Sequence, residues 1–356
     1  MELFEAIKTG GIEQLMFFNE HSVGLRGVAV IHNTQLGPAV AGIRVMEYAS
    51  EQAMIVDAID LANEMTMRAA LAECDLGGGS IVLWGPPPAE KREAYFRALG
   101  KFLERLGGRV YGVMEVGTED KDIRNVRRET RHVLALSRCY GGISDATQLT
   151  ADGVLLGIKA TAKSVLGAAS LANLTCLVQG LGRLGRAVAA GLTAAKARLI
   201  VTDLSYDKIK AIQDANPESS MVRPEEVVAT KCDILVPCAL GNVVTVETAA
   251  RLRCRAVAGG ASNIIPDIET ADALHQAGVV YTPHYIIDSG ELLQADAELT
   301  GRSLELVERT VAEIYPRTLA VLETARDAKE SPVRTTIRMA NNRISAINSI
   351  GRHMAF

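Results

Sequence analysis

Aromatic side chains are scarce in this chain, at 4% of 356 residues with a single tryptophan, so no aromatic-stacking pocket is advertised. Excess positive charge is also missing. The formal net charge is −4 and no dense Lys/Arg run occurs, which removes the electrostatic footprint of a nucleic-acid partner. No stretch of 18 or more apolar residues appears, so no membrane partner is expected. Met1-Glu2-Leu3-Phe4-Glu5 has no basic flank leading into a long apolar run and does not read as a signal peptide. Cys74, Cys139, Cys176, Cys232, Cys238 and Cys254 form no C-x-x-C pair. In a chain this long they read as small apolar residues of a reduced compartment, and Cys238, with no evident His or Asp partner, is not read as a nucleophile. His21, His32, His132, His275, His284 and His353 show no metal-ligand spacing, so no metal is expected. These absences leave a cytoplasmic globular protein, long enough for two ordinary domains.

What is present is a glycine turn in a specific context. Val178-Gln179-Gly180-Leu181-Gly182-Arg183-Leu184-Gly185 reads as G-x-G-x-x-G. The apolar run Thr175–Val178 before it suits a buried parallel strand, and Arg186–Ala190 after it continues a helix. The next apolar run, Arg198–Thr202, ends directly in Asp203. Glycines at these places permit a tight turn, close approach of backbone to a pyrophosphate, and close packing of helix on strand. The helix start offers unpaired N–H groups to the phosphates. A carboxylate at Asp203 suits an adenosine ribose and repels a 2′-phosphate, so NAD is favoured over NADP.

Around this turn the chain is organised as α/β. Strands are expected at Leu15–Phe18, Leu25–Ile31, Ile81–Trp84 after the triplet Gly77-Gly78-Gly79, and 109–116, with helices over 51–72 and 89–106. A connecting helix over 151–167 leads to strand candidates 174–178, 198–202, 233–236, 255–258 and 278–281. Their alternation with helices predicts parallel βαβ units in an open, doubly wound sheet. Helices at 303–327 and 333–350 follow. The expected division is a substrate and oligomerisation domain over 1–148, a Rossmann dinucleotide domain over 149–330, and a C-terminal helix over 331–356 returning to the first domain.

Local strings extend this reading. They include His32-Asn33-Thr34-Gln35-Leu36-Gly37-Pro38-Ala39, Gly42-Ile43-Arg44, Glu64-Met65-Thr66, Asp75-Leu76-Gly77-Gly78-Gly79, Val116-Gly117-Thr118, Cys238-Ala239-Leu240-Gly241 and Tyr285-Ile286-Ile287-Asp288. With the glycine turn, they resemble the amino-acid dehydrogenases acting on glutamate, leucine, phenylalanine and valine, nearest to leucine dehydrogenase, over nearly the whole chain. The resemblance implies a homo-oligomer that binds NAD and a small substrate: an amino acid, keto acid or imine. It places Gly180, Gly182, Arg183, Leu184, Gly185, Asp203, Cys238, Ala239 and Asn263 at the cofactor. It places Arg68, Met65, Asn263, Asp288 and Glu291 at the substrate, and Glu115 with Ser80 at the catalytic positions.

Five of those positions depart from the family's pattern. The lysine that clamps the substrate carboxylate is Arg68, which can still bind it bidentately. The catalytic lysine after the glycine triplet is Ser80, which carries no charge. Its partner aspartate is Glu115, one methylene longer and without the ammonium that would hold it ionised. An Asn-Ala-Gly-Gly string is Asp288-Ser289-Gly290-Glu291. Each residue also has a plainer reading. Arg68 could be a helix-surface cation, Glu115 a solvated strand-end acid, Ser80 a cap on N–H groups near the triplet, and Met65 core lining. The leading expectation is an NAD-dependent oxidoreductase of a C–N bond with a rewired acid/base site. The alternatives are an NAD-binding homologue without turnover, serving a regulatory or structural role, and an enzyme using bound NAD for a net non-redox reaction.

Overall fold

The computed structural model describes residues 3–239, 241 and 243–349; Leu240 and His353 lie outside them. The chain divides into two compact units, residues 1–146 with 292–307 and 340–356, and residues 147–291 with 308–339.

The first unit is built on a five-stranded sheet of β1 (Gln14–Glu20), β2 (Leu25–Asn33), β3 (Ala39–Met46), β4 (Gly77–Trp84) and β5 (Val110–Met114). Their order is β1-β2-β4-β3-β5. β2 pairs antiparallel with β1 and β4, whereas β3 runs parallel to β4 and β5. One face carries the helix Glu51–Leu71, started by Ser50, whose Oγ accepts from the Ala53 N–H at 3.1 Å. The other face carries the helices Arg92–Arg105 and Asp120–Arg127, with Tyr95, Phe96, Leu99, Ile123 and Val126 in the core. Helices on both faces explain why β2 and β4 read as nearly continuous apolar runs.

β3 was not among the expected strands. Ala39-Val40-Ala41-Gly42 is weak in the β-branched and aromatic residues that favour strands, and it is a strand because partners flank it on both sides. Gly78 has a packing reason: a Cβ there would lie 2.1 Å from Thr66 Oγ1 and 2.2 Å from its backbone N. The triplet therefore lets the helix Glu51–Leu71 approach β4. Within this unit, Arg343 Nη1 donates to the carbonyls of Ala69, Ala70 and Cys74 at 3.4, 3.3 and 2.9 Å, placing a cation at that helix's C-terminal end, where the macrodipole favours it.

The second unit holds a six-stranded, all-parallel sheet of β6 (Thr175–Gln179), β7 (Arg198–Thr202), β8 (Ser220–Met221), β9 (Ile234–Pro237), β10 (Ala256–Val257) and β11 (Val280–Tyr281). The order β11-β10-β9-β6-β7-β8 places the reversal of strand order beside β6, the topological switch point of a Rossmann fold. The helix Ala146–Leu166, which enters this unit after its first residue, is tied by Thr161 Oγ1, 2.7 Å from Thr282 Oγ1. The continuous helix expected over 303–327 is two, Leu304–Ala312 and Ile314–Ala328. Pro316 has no N–H for an i−4 bond and is tolerated only in a helix's first turn, so a new helix starts just before it. Among the described residues, no helix is long and apolar enough to cross a membrane.

Candidate active site

In the first unit the candidate chemistry sits where β5 ends. The turn Glu115-Val116-Gly117-Thr118 is locked on itself. The Glu115 N–H donates to Thr118 Oγ1 at 3.0 Å, and that hydroxyl lies 2.6 Å from the Glu115 carbonyl and 3.2 Å from the Ile43 carbonyl. Gly117 has φ +81, and a Cβ there would stand 2.1 Å from the Val45 carbonyl oxygen, so only glycine lets this turn seat against β3. The Glu115 backbone is thus fixed before its side chain is considered.

That side chain lies over Gly42, where a Cβ would come within 2.8 Å of Glu115 Cγ. It ends on Arg44: Nε donates to Oε2 at 2.8 Å and Nη2 to Oε1 at 3.1 Å. The expectation that Glu115 lacks a cationic partner is therefore corrected. Arg44, from the Gly42-Ile43-Arg44 string, is that partner. The Arg44 side chain is 1% exposed, and its Nη1 donates to Asp57 Oδ1 at 2.7 Å. The Tyr48 hydroxyl closes on the other oxygen of Asp57. Burial opposes the charge on Arg44, but Glu115 and Asp57 outweigh it and raise the guanidinium's pKa. Arg44, Asp57 and Tyr48 were assigned no role from the sequence. The available signal was an arginine inside an otherwise apolar strand segment, since a buried arginine requires acidic partners.

Ser80 lies in the middle of β4, fully buried, and donates its hydroxyl to the Ala58 carbonyl at 2.6 Å. Strand alternation turns it onto the helix Glu51–Leu71, so it caps no N–H near the triplet. In register it neighbours Gly42, the residue beneath Glu115. Met65 is buried in that helix, and Arg68, one turn on, is half-buried.

In the second unit, strand, turn and helix follow in the order a dinucleotide requires. Gly180 ends β6 with φ +91, and a Cβ there would lie 2.5 Å from Ala239 Cβ. Gly185 packs so tightly that a Cβ would fall 1.9 Å from the Gly180 carbonyl oxygen. At Gly182, the N-cap of the helix Arg183–Ala194, a Cβ would meet nothing within 4 Å. The first and third glycines thus serve the turn itself, and the second leaves open space over the helix N-terminus, where a pyrophosphate would approach. Arg183 and Leu184 form the helix's first turn. The Cys238 N–H donates to the Gln179 carbonyl at 2.7 Å, setting Cys238 and Ala239 against the glycines. Burial pushes the Cys238 thiol up to about 11, consistent with a packing role.

Asp203 follows β7 and braces the turn. Its Oδ2 accepts from the Leu181 N–H at 2.6 Å and its Oδ1 from the Ser205 N–H at 2.9 Å, with Lys208 Nζ at 3.5 Å. Burial raises its pKa, but the two N–H donors and Lys208 outweigh that and hold it below the ordinary aspartate value. An ionised carboxylate has about four lone-pair sites, so acceptor capacity is left for a ribose. These residues fit a dinucleotide. Asn263 lies after β10 in the left-handed region, φ +57, a conformation asparagine tolerates better than most. Asp288 is buried, and the Glu291 N–H donates to Thr150 Oγ1 at 3.0 Å. Between them Gly290 abuts the Leu149 and Thr150 backbone, with a Cβ position 2.3 Å from both.

Comparison with known proteins agrees with these features. The family model "Glu/Leu/Phe/Val dehydrogenase, dimerisation domain" matches residues 14–132, and the model "Glutamate/Leucine/Phenylalanine/Valine dehydrogenase" matches residues 199–355. Leucine dehydrogenase of Thermoactinomyces intermedius is 37% identical over 345 residues, covering 97% of this chain and 94% of that protein. Phenylalanine dehydrogenase of Bacillus thermotolerans is 38% identical, covering 95% and 88%. The crystal structure of L-tryptophan dehydrogenase from Nostoc punctiforme superposes with a TM-score of 0.79 at 30% identity, covering 98% of this chain and all of that one. The chain belongs to the glutamate/leucine/phenylalanine/valine dehydrogenase family and is an amino-acid dehydrogenase-like oxidoreductase.

Proposed function

We propose that this protein is an NAD-dependent oxidoreductase of the C–N bond of an amino acid or imine, with an acid/base site rewired around Glu115. The observation that carries the reading is the bidentate grip of Arg44 on the Glu115 carboxylate at the end of β5. It keeps an oriented proton acceptor although the expected lysine position is Ser80. Arg68 holds the substrate carboxylate through its guanidinium fork, and Glu115 takes the amine proton as the C–N bond is oxidised. NAD, when bound, accepts the hydride. Gly180, Gly182, Arg183, Leu184, Gly185, Asp203, Cys238, Ala239 and Asn263 hold that cofactor, and Asp203 favours NAD over NADP because its charge repels a 2′-phosphate. Met65, Asp288 and Glu291, with Asn263, shape the choice of substrate. Hydrolysis of the imine is slow relative to its formation, because Ser80 supplies no ammonium to activate water and its hydroxyl is committed to Ala58. The first unit, residues 1–146 with 292–307 and the segment from 340, serves as the substrate and oligomerisation domain, and the second, residues 147–291 with 308–339, as the dinucleotide domain of a cytoplasmic homo-oligomer.

The same burial of Ser80 supports a second reading, an NAD-binding family member without deaminase turnover. Hydride transfer separates the two. Purified protein is offered NAD with a panel of amino acids, then NADH with keto acids plus ammonia or with preformed imines, while reduced-nicotinamide absorbance is followed. Turnover lost in Glu115→Ala is the expected result. NADH binding by fluorescence with silence across the panel overturns the enzymatic reading in favour of the second.

A further inference from the structure

We propose that Arg44, Asp57 and Tyr48 form a buried positioning chain that sets the orientation and ionisation of the Glu115 carboxylate. The inference rests on the reading of Glu115 as the proton-transfer group and names the residues that control it.

Three structural features support the chain. First, Arg44 is shared between two carboxylates. Its Nε and Nη2 serve Glu115, and its Nη1 serves Asp57. Because a guanidinium is planar, the seat of Asp57 fixes the plane in which Glu115 is held. Second, Asp57 is anchored from its far side by the Tyr48 hydroxyl, so both of its oxygens are used. Burial, then the bond to Asp57, raises the Tyr48 pKa, and Tyr48 remains a neutral donor. Third, space is tight at the Glu115 end, where Gly42 leaves room for Glu115 Cγ and a Cβ would not. Asp57 is thus pinned from behind by Tyr48, whereas Glu115 stands at a strand end with no such anchor from a tyrosine; the two side chains are equally exposed, at 18%.

The charges set opposite expectations for the two ends of the chain. The groups around Glu115 are Arg44 on β3, Asp57 on the helix Glu51–Leu71, and Tyr48 just beyond β3. Along that helix, Asp60 is close enough to Asp57 and Glu64 to feel both charges. Removing the Arg44 cation makes Glu115 protonate at higher pH. Removing the Asp57 anion frees the guanidinium for Glu115 and makes it protonate at lower pH. A purely structural role would cost stability in both variants without moving the titration in opposite directions.

The test is a carboxyl-carbon NMR titration of Glu115 in the full-length protein labelled at glutamate, with Glu115→Gln assigning the resonance. It requires no turnover, so it stands even if the substrate panel is silent. In Arg44→Gln the midpoint is expected to rise by about 1–3 units, the effect of losing an adjacent opposite charge. In Asp57→Asn, where the amide oxygen can still accept from Arg44, the midpoint is expected to fall. Where a substrate is found, the acidic limb of the kcat profile moves the same way in each variant. In Asp57→Asn, kcat drops while KM for the amino acid holds, because Arg68 rather than Arg44 binds its carboxylate. If Arg44→Gln does not fold, Asp57→Asn decides alone. An unmoved or raised midpoint in folded Asp57→Asn overturns the proposal.

Discussion

The Ser80 hydroxyl donates to the Ala58 carbonyl at 2.6 Å, from a strand position that exposes no surface. Its register neighbour is Gly42, beneath Glu115. A lysine at position 80 would therefore bring an ammonium to the Glu115 side of the sheet. Ser80→Lys should gain oxidative deamination on the order of 10²-fold, the lower range for a positioned acid/base group. Overpacking beneath the helix Glu51–Leu71 should cost about 1–3 kcal/mol. Initial rates and urea unfolding measure the two effects. A folded variant with no gain would overturn the reading of position 80 as the lost catalytic position.

The second and third glycines of the turn should separate folding from binding. Gly185→Ala sets a Cβ 1.9 Å from backbone oxygen and should destabilise the second unit and abolish NADH binding. Gly182→Ala meets nothing within 4 Å, so its unfolding free energy should stay within about 1 kcal/mol of the parent. Its added methyl nevertheless sits where the pyrophosphate approaches, and NADH affinity should fall. Thermal melts beside fluorescence titrations provide the check.

Asp203→Asn should weaken NADH binding by about 10- to 100-fold, the value of a charged hydrogen bond or two, and should narrow the preference for NADH over NADPH. The native carboxylate has a depressed pKa. Its contribution to stability is therefore complete above the ordinary aspartate value of about 3.9 and is lost as pH falls through the lower folded value. The stability gap between parent and Asp203→Asn should be constant near neutrality and close only in strong acid. A gap that closed at higher pH would contradict the bracing role of the Leu181 and Ser205 N–H groups.

Arg44→Leu should destabilise the first unit by about 3–5 kcal/mol, because it strands the carboxylates of Asp57 and Glu115 without their shared cation. The double variant Arg44→Leu/Asp57→Leu should recover part of that loss, since Asp57 is then no longer a carboxylate stranded without its cation. Denaturant midpoints for the set measure the coupling. Equal loss in the single and double variants would show that the cluster's charges contribute little.

The dinucleotide half was legible because its information is contiguous. Val178 to Gly185 and Arg198 to Asp203 encode strand, turn, helix and acid within about one βαβ unit, where local sterics and hydrogen bonding decide the conformation. Asp203 bracing the turn through the Leu181 N–H is a refinement over 22 positions. The Glu115 environment was not legible in this way. Its partner Arg44 is 71 positions away, on a strand whose small residues gave little strand signal. The break before Ile314 was missed for a different reason, since apolar periodicity continues across it and only Pro316 marks it.

The sequence by itself determined the family, the Rossmann half and the identities of Ser80, Arg68 and Glu115, because motif spacing and side-chain chemistry are properties of the linear chain. The tertiary structure alone decided what surrounds them. Sheet register turned Ser80 onto a helix carbonyl, and the order β4-β3-β5 brought Arg44 beside Glu115. Charge partners across a sheet are fixed by which strands are neighbours and which face each residue takes. Non-local pairing sets both.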